Sequence, residues 1–312
     1  MMRKVLVLGG TGFVGRHVCA KLARLQIGLT VPTRRQRHAG SLITLPTLRL
    51  VEADIHDRQQ LLSLVDGHDA VLNLVAILQG TQAAFERVHV DLPRTLARVC
   101  EQAGVRRVVH ISALGADSEH PERLPSMYLR SKSEGERVLR QAQLDLTVIR
   151  PSVIFGAEDR FLNTFAQLQR LAPFVPLAGA QAKLQPVWVE DVASAVAACL
   201  VGPHHQDSVG QIYEAAGPEV YTLRELVQAA GRWAGLAAGR GRPVWPLPEA
   251  LARLQALLME CLPGEPLLSR DNLDSLRVPN VATGQHPLLS ALGVQVTSVQ
   301  AIAPGYLGAR SA

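Results

Sequence analysis

The stretch Gly9-Gly10-Thr11-Gly12-Phe13-Val14-Gly15 decides how the chain is read. An apolar, strand-favouring run, Val5-Leu6-Val7-Leu8, leads into it. Val14, Val18, Leu22 and Leu25 follow at three- and four-residue spacing, the period of a helix. Glycines between a strand and a helix have mechanical roles. One permits the tight turn, one lets a pyrophosphate approach the backbone, and one lets helix and strand pack closely. The helix start then offers unpaired N–H groups and a positive dipole end to an anion. The order of strand, glycines and helix predicts a nucleotide site built from Gly9, Thr11, Gly12, Phe13, Val14 and Gly15.

Outward from this turn, short apolar runs alternate with amphipathic segments, the pattern of βαβ units and a parallel sheet. Strands are expected near 4–9, 28–33, 48–53, 70–75, 107–112 and 146–150, and helices near 13–26, 57–66, 82–103 and 129–142. The expected fold is α/β: a Rossmann-type doubly wound parallel sheet with a smaller C-terminal α/β domain. Residues 1–160 form the dinucleotide-binding part, with 186–202 packing back on it, and residues 161–312 form the smaller substrate or partner domain.

Bulk properties bound the rest. The 312 residues carry 32 Lys and Arg against 27 Asp and Glu, a net charge of +5. The excess is arginine spread through the chain, not a block of the kind that binds nucleic acid. It is compatible with weak attraction to an anionic membrane surface. Cys19, Cys100, Cys199 and Cys261 form no pair motif, which points to free thiols in a reducing compartment and gives no zinc or other metal site. Met1 to Leu8 is too short for a signal peptide and is read as the first strand. No run reaches the roughly 20 apolar residues that span a bilayer. A cytoplasmic location is expected, with peripheral contact at the inner membrane left open.

In an open parallel sheet, ligands sit at the carboxyl ends of the strands. The second strand ends at Thr33-Arg34-Arg35, with Arg37 beyond, and no acid stands where NAD's 2′-hydroxyl would need one. Arginine grips a 2′-phosphate, so NADP(H) is favoured over NAD(H); the alternative is loop arginines in an arginine-rich chain. Asp54, beside Ile55, either accepts from an adenine amino group or stabilises its turn. Asp57 is an expected N-cap. Asn73, Val75 and Ala76 offer a small surface to the cofactor's sugars. Ser112 either faces the site or ties up its loop, and Pro151 and Val153 close the last strand end.

Tyr128 and Lys132 lie four apart, on one face of a helix. An ammonium beside a phenol lowers the phenol's pKa from near 10, so Tyr128 is expected to exchange a proton beside a carbonyl or alcohol while Lys132 also holds the nicotinamide ribose. The alternative is a surface pair. Lysine is scarce, at Lys4, Lys21, Lys132 and Lys183 alone, which gives the spacing weight.

Beyond Gly156 the alternation breaks. Helices are expected near 222–235 and 247–262, and the tail after Leu288 is expected to pack loosely. Ala250, Leu251, Leu254, Leu257, Leu258 and Cys261 form an apolar stripe, read either as core or subunit contact, or as a surface that meets a membrane or a larger assembly.

Together, Gly9 to Gly15, Asp54, Tyr128, Lys132, Arg150 to Gly156 and Gln185 to Val192 resemble the extended short-chain dehydrogenase/reductases of the NAD-dependent epimerase/dehydratase kind. Val31 to Arg34, Met127 to Lys132 and Arg150 to Gly156 look like an atypical branch. That branch includes the nucleotide-binding accessory subunit of mitochondrial respiratory complex I and its bacterial relatives. The resemblance implies an NAD(P)-binding Rossmann domain, with Tyr128 as acid/base and Lys132 as its modulator. Two positions depart from the family. Leu114 stands where a catalytic serine or threonine is usual, and His89 where an asparagine is. The resemblance therefore implies either hydride transfer at a carbonyl or alcohol carbon of an unknown small-molecule substrate, or a non-catalytic, cofactor-stabilised subunit or assembly factor linked to complex I or to quinone (ubiquinone) biosynthesis. A sensor of the NADPH/NADP+ ratio is a third reading.

Overall fold

The computed structural model describes residues 3–35, 40–261 and 266–308. Its first half alternates strand and helix. β1 (Lys4–Leu8), α1 (Phe13–Arg24), β2 (Gly28–Thr33), β3 (Leu48–Glu52), α2 (Arg58–Val65) and β4 (Ala70–Asn73) come first. Next are α3 (Gln82–Glu86), a π-helical segment (Arg87–Asp91), α4 (Leu92–Ala103), β5 (Arg107–Ile111), α5 (Met127–Arg140) and β6 (Asp145–Pro151). Short strands β7 (Ile154–Phe155), β8 (Val175–Leu177), β9 (Lys183–Leu184) and β10 (Val187–Trp188) are interleaved with α6 (Leu162–Leu171) and followed by α7 (Val189–Val201). The chain ends with β11 (Ile212–Ala215), β12 (Tyr221–Thr222), α8 (Leu223–Trp233), a short turn α9 (Leu236–Gly239), β13 (Val244–Pro246), α10 (Glu249–Glu260), α11 (Arg270–Ser275) and α12 (Val299–Gly308).

Seven parallel strands form the central sheet in the order β11-β6-β5-β4-β1-β2-β3. The order reverses between β1 and β4, and the crevice at that reversal is where a doubly wound sheet binds ligands. Successive strand residues face opposite sides. Val5 and Val7 therefore join one apolar layer, with α1 and α7 over it, while Leu6 and Leu8 join the other, under α2, α4 and α5. A third apolar cluster gathers α6, α8 and α12.

The expected Rossmann-type sheet is present, and four details differ from expectation. The seventh strand, β11, continues the sheet beyond β6 although only six were expected. The helix expected over 82–103 is interrupted at Arg87–Asp91, where Leu92 N–H bonds to Arg87 O in π register. The cause is local: Pro93 has no N–H to give to the carbonyl of His89, four residues back. The tail is not loose, because Leu289, Leu292, Val299, Ala303 and Leu307 are all buried. The apolar stripe of α10 is not core either: Ala250, Leu251, Leu254, Leu257, Leu258 and Cys261 all face outward, and only Ala252 and Ala256 are buried.

Candidate dinucleotide site

The glycine turn is held as its sequence demands. Gly9 has φ +82°, in the region that favours glycine, and its carbonyl accepts from Gly12 N at 3.0 Å. A Cβ on Gly15 would lie 2.5 Å from the Gly10 carbonyl oxygen, so only glycine lets α1 come this close to β1. Gly12 is the N-cap of α1, is exposed, and has no side-chain cap. The first N–H groups of α1 are thus left for an anion. Thr11 accepts from Arg16 Nε through its carbonyl. Phe13 packs against the backbone of Gly156, and Val14 is half-buried against the sheet.

All other expected cofactor residues lie at the same carboxyl edge of the sheet, because the strands are parallel and each residue follows its own strand. After β2, Thr33 is buried, its hydroxyl donates to Arg35 O, and Arg34 and Arg35 are exposed. Arg37 lies outside the described residues. After β3, Asp54 Oδ1 accepts from His56 N, which is the turn-stabilising role, while Ile55 is half-buried. Asp57 caps α2 by accepting from Gln60 N. After β4, Asn73 Oδ1 accepts from Val75 N, and Ala76 is exposed at the crevice. After β6, Pro151 is buried, and Val153 is held by a bond from its N–H to Asn280 Oδ1.

Arg87, on the π segment, was not among the expected site residues. With burial as the largest cause, the Arg87 guanidinium and more weakly that of Arg34 hold His56 below the ordinary histidine range, partly opposed by Asp54. The two arginines thus act on one spot beside the β2 and β3 ends. Nothing in the sequence spacing links residue 87 to residue 34.

At the other end of the crevice, α5 presents Tyr128 and Lys132. Ser126 caps this helix by accepting from Leu129 N. Lys132 is 2% exposed, and its Nζ donates to Ile111 O at 2.7 Å. Burial pulls its pKa down to about 8, against the opposing pull of Glu136 one turn further on. Glu136 is itself fully buried and bidentate with Arg150, at 2.6 and 3.0 Å. The expected lowering of the Tyr128 pKa does not occur: burial pushes the phenol up to about 12, and the Lys132 proton is directed to the Ile111 carbonyl.

His89 occupies the centre of this end. Its ring meets Tyr128 edge-on at 5.7 Å and Phe85 at 5.6 Å. Its Nε2 accepts from Ile77 N at 3.1 Å, which fixes the proton on Nδ1, and Nδ1 donates to Ser131 Oγ at 2.8 Å. Ser131 in turn donates to Tyr128 O. Burial, with a smaller push from Lys132, takes the His89 pKa to about 2, so the ring is neutral at physiological pH. On β5, His110 accepts at Nδ1 from Asn73 Nδ2 and is likewise held well below its ordinary range. Ser112 Oγ and His110 Nε2 are buried without a hydrogen-bond partner.

Leu114 is 1% exposed, and only its backbone is engaged, with N–H to Pro151 O and its carbonyl accepting from Asn280 Nδ2. Its side chain offers no hydrogen bond, where the family resemblance leads a hydroxyl to be expected. The short helix α11 closes over the start of α5. The Asp271 carboxylate accepts from Met127 N at 2.5 Å and Tyr128 N at 3.1 Å, and Asn272 pairs with Gln79. Among the described residues no group of His, Cys, Asp and Glu is placed to hold a metal.

An uncapped helix start at Gly12, the close glycine contact at Gly15 and an unpartnered buried hydroxyl at Ser112 fit a dinucleotide laid across the strand ends. Residues 9–203 match the NAD(P)H-binding family model. The chain belongs to the NAD(P)H-binding Rossmann family. It is 33% identical over 301 residues to the "NADH dehydrogenase [ubiquinone] 1 alpha subcomplex subunit 9, mitochondrial" of Rattus norvegicus, covering 94% of this chain and 77% of that protein. Among solved structures it resembles a nucleoside-diphosphate-sugar epimerase from Staphylococcus aureus, with TM-score 0.74 and 15% identity over 98% of this chain and 99% of that one. It also resembles the Thermus thermophilus UDP-glucose 4-epimerase in complex with NAD, with TM-score 0.68 and 20% identity over 97% and 98% of the two chains. These two likenesses show the fold. Among the described residues no helix is long and apolar enough to cross a membrane.

Proposed function

We propose that the chain is a dinucleotide-holding accessory or assembly subunit of a respiratory NADH:ubiquinone system, in which NADP(H) braces the fold and is not turned over. The observation that carries this reading is the state of the acid/base pair. Lys132 donates to a backbone carbonyl, burial pushes the phenol of Tyr128 up to about 12, and Leu114 supplies no hydroxyl. A general acid works best with a pKa near the operating pH, and a phenol near 12 is far from it. Similarity to a subunit named for the mitochondrial NADH dehydrogenase supports the same reading. Arg34, exposed after β2, favours a 2′-phosphate over a 2′-hydroxyl.

When bound, the dinucleotide supplies a nicotinamide able to carry hydride. The chain's own residues hold it: the α1 N–H groups take the pyrophosphate, Arg34 the adenosine phosphate, and Lys132 and Ser112 the nicotinamide ribose. Native mass spectrometry of the purified protein, followed by incubation with quinones and aldehydes, tests the reading. Retained NADP(H) with unchanged absorbance at 340 nm is expected; steady oxidation of the carried cofactor rejects it.

A second reading, an active reductase, is favoured by the unpartnered Ser112 hydroxyl at the same strand end as Tyr128 and Lys132. A substrate oxygen that bonded Ser112 and released Lys132 from Ile111 would bring the phenol back towards neutral titration. Any turnover found should then vanish in Tyr128→Phe, and turnover that survives this change excludes Tyr128 as the acid.

A further inference from the structure

Residues 269–280 touch the start of α5 and the loops after β4, β5 and β6. Asp271 accepts from Met127 N and Tyr128 N, the first two N–H groups of α5. Asn272 accepts from Gln79 Nε2 at 3.1 Å and donates to Leu78 O, both in the loop after β4. Val278 lies against Gly115, after β5, where a Cβ would come within 2.9 Å of its Cγ1. Asn280 accepts from Ser152 Oγ and Val153 N, after β6, and donates to Leu114 O. Among the described residues, none of these bonds reaches the glycine turn or the ends of β2 and β3.

This segment has almost no apolar anchor. From residue 270 to residue 288, Asp271 alone is buried, so the one buried side chain of α11 is a carboxylate. Leu276 is half-buried against the third apolar cluster. Ion pairs on the outside, Arg253 with Asp274 and Arg270 with Glu260, tie α11 to α10 at 2.9 Å each, and exposed pairs of this kind contribute little. The firmest tie is therefore Asp271. A buried carboxylate is costly unless its oxygens accept hydrogen bonds, and the free N–H groups and positive end of α5 meet that need. Once the carboxylate is hydrated, little apolar burial draws the segment back. Segments with few buried apolar contacts open at low free energy.

We propose that residues 269–280 are a strap, latched by Asp271, that closes the nicotinamide half of the crevice and governs how fast the dinucleotide leaves. This rests on the reading that a dinucleotide lies across the strand ends, whether or not its hydride is transferred. With the strap closed, the nicotinamide and its ribose are held among α5, the three loops and the strap. The adenosine half, at the ends of β2 and β3, stays outside its reach. Release of the nicotinamide half then waits for the Asp271 bonds to break.

Displacement of bound NADPH from the full chain by excess NADP+, followed by stopped-flow fluorescence, measures the release rate. NADH and NAD+ take their place if the chain carries the unphosphorylated cofactor. Asp271→Ala should release the dinucleotide about tenfold faster, and Asp271→Asn, which keeps one accepting oxygen, by less. Gln79→Ala removes a bond from the loop side while leaving α11 and the start of α5 intact, and should speed release by about threefold. Adenosine 2′,5′-bisphosphate (adenosine diphosphate for the unphosphorylated cofactor) fills only the half beyond the strap. It should bind the wild type and all three variants alike. Wild-type release rates in both Asp271→Ala and Gln79→Ala overturn the strap. Equal weakening of the dinucleotide and of the adenosine fragment also overturns it, because the change is then one of the whole fold. A wild-type chain that takes up neither dinucleotide rejects occupancy of the crevice, and the strap's role with it.

Discussion

His89 and His110 are both buried within reach of Lys132, and both are held neutral. Their folded pKa values lie below the ordinary 6.5, so the stability they contribute is complete above about pH 6.5. It is lost as pH falls, because the unfolded chain takes up protons that the folded one refuses. For His89 the window runs from about 6.5 to about 2. At pH 4.5 His89 should have cost on the order of 3 kcal/mol. Urea titrations of His89→Asn against wild type at pH 7 and pH 4.5 check this: the variant should show a shallower acid loss, and parallel curves would refute it. Lys132 behaves in the matching way at high pH. Its folded pKa of about 8 lies below the ordinary 10.5, so its penalty is fully present below pH 8 and relieved as pH rises through that window. Without dinucleotide, any stability advantage of Lys132→Met should shrink by about 1.4 kcal/mol per pH unit from 8 towards 10.5. A constant difference across that range would reject the assignment. The spacing of Tyr128 and Lys132 was legible in the sequence. The direction of the phenol's pKa was not, because it follows from the burial of Tyr128 once the chain has folded.

At the scale of the element, the π segment and α5 are built for each other. Pro93 frees the His89 carbonyl, and Gly135 of α5 approaches it so closely that a Cβ there would overlap the His89 oxygen. An exposed helical glycine replaced by alanine gains about 1 kcal/mol of helix propensity. Here the clash is with backbone on both sides, and backbone cannot swing away as a side chain can. Gly135→Ala should therefore destabilise the protein by roughly 2 to 4 kcal/mol. Because α5 carries Tyr128 and Lys132, it should also weaken dinucleotide retention. A denaturation midpoint equal to wild type would show that the contact is not held in solution. Periodicity made a helix over 82–103 legible, and Pro93 marked where it falters. What the sequence could not convey was that Gly135, more than forty residues on, is the partner that makes the interruption useful. Asp271 was equally hidden, since its role as a cap on another helix's Met127 and Tyr128 arises only once the C-terminal segment has folded over α5.

For the molecule as a whole, the crevice joins segments far apart in the chain. The glycine turn lies at residue 9, the cationic pair at 34 and 87, and the Tyr128–Lys132 helix beyond them, while Asn280 ties the C-terminal segment to Ser152, Val153 and Leu114. Six strands and the site edge were readable because βαβ repeats are local. The seventh, β11, escaped because Ile212 to Ala215 is short and is separated from α7 by a turn-rich stretch. A ligand that bridges such distant segments binds the folded state alone, so it must raise the melting temperature by mass action. At a hundredfold excess over Kd the gain is about 2.7 kcal/mol, which for a chain of this length is roughly 4 °C. Arg34, exposed after β2, makes this shift a direct measure of which dinucleotide is held. NADP(H) should raise the melting temperature by several degrees at concentrations where NAD(H) raises it by less than one. Arg34→Glu should reverse that order, because a carboxylate repels a 2′-phosphate and accepts from a 2′-hydroxyl. Equal shifts for the two cofactors in the wild type would show that Arg34 is a solvated loop cation, and would leave the glycine turn as the part of the site that recognises the nucleotide.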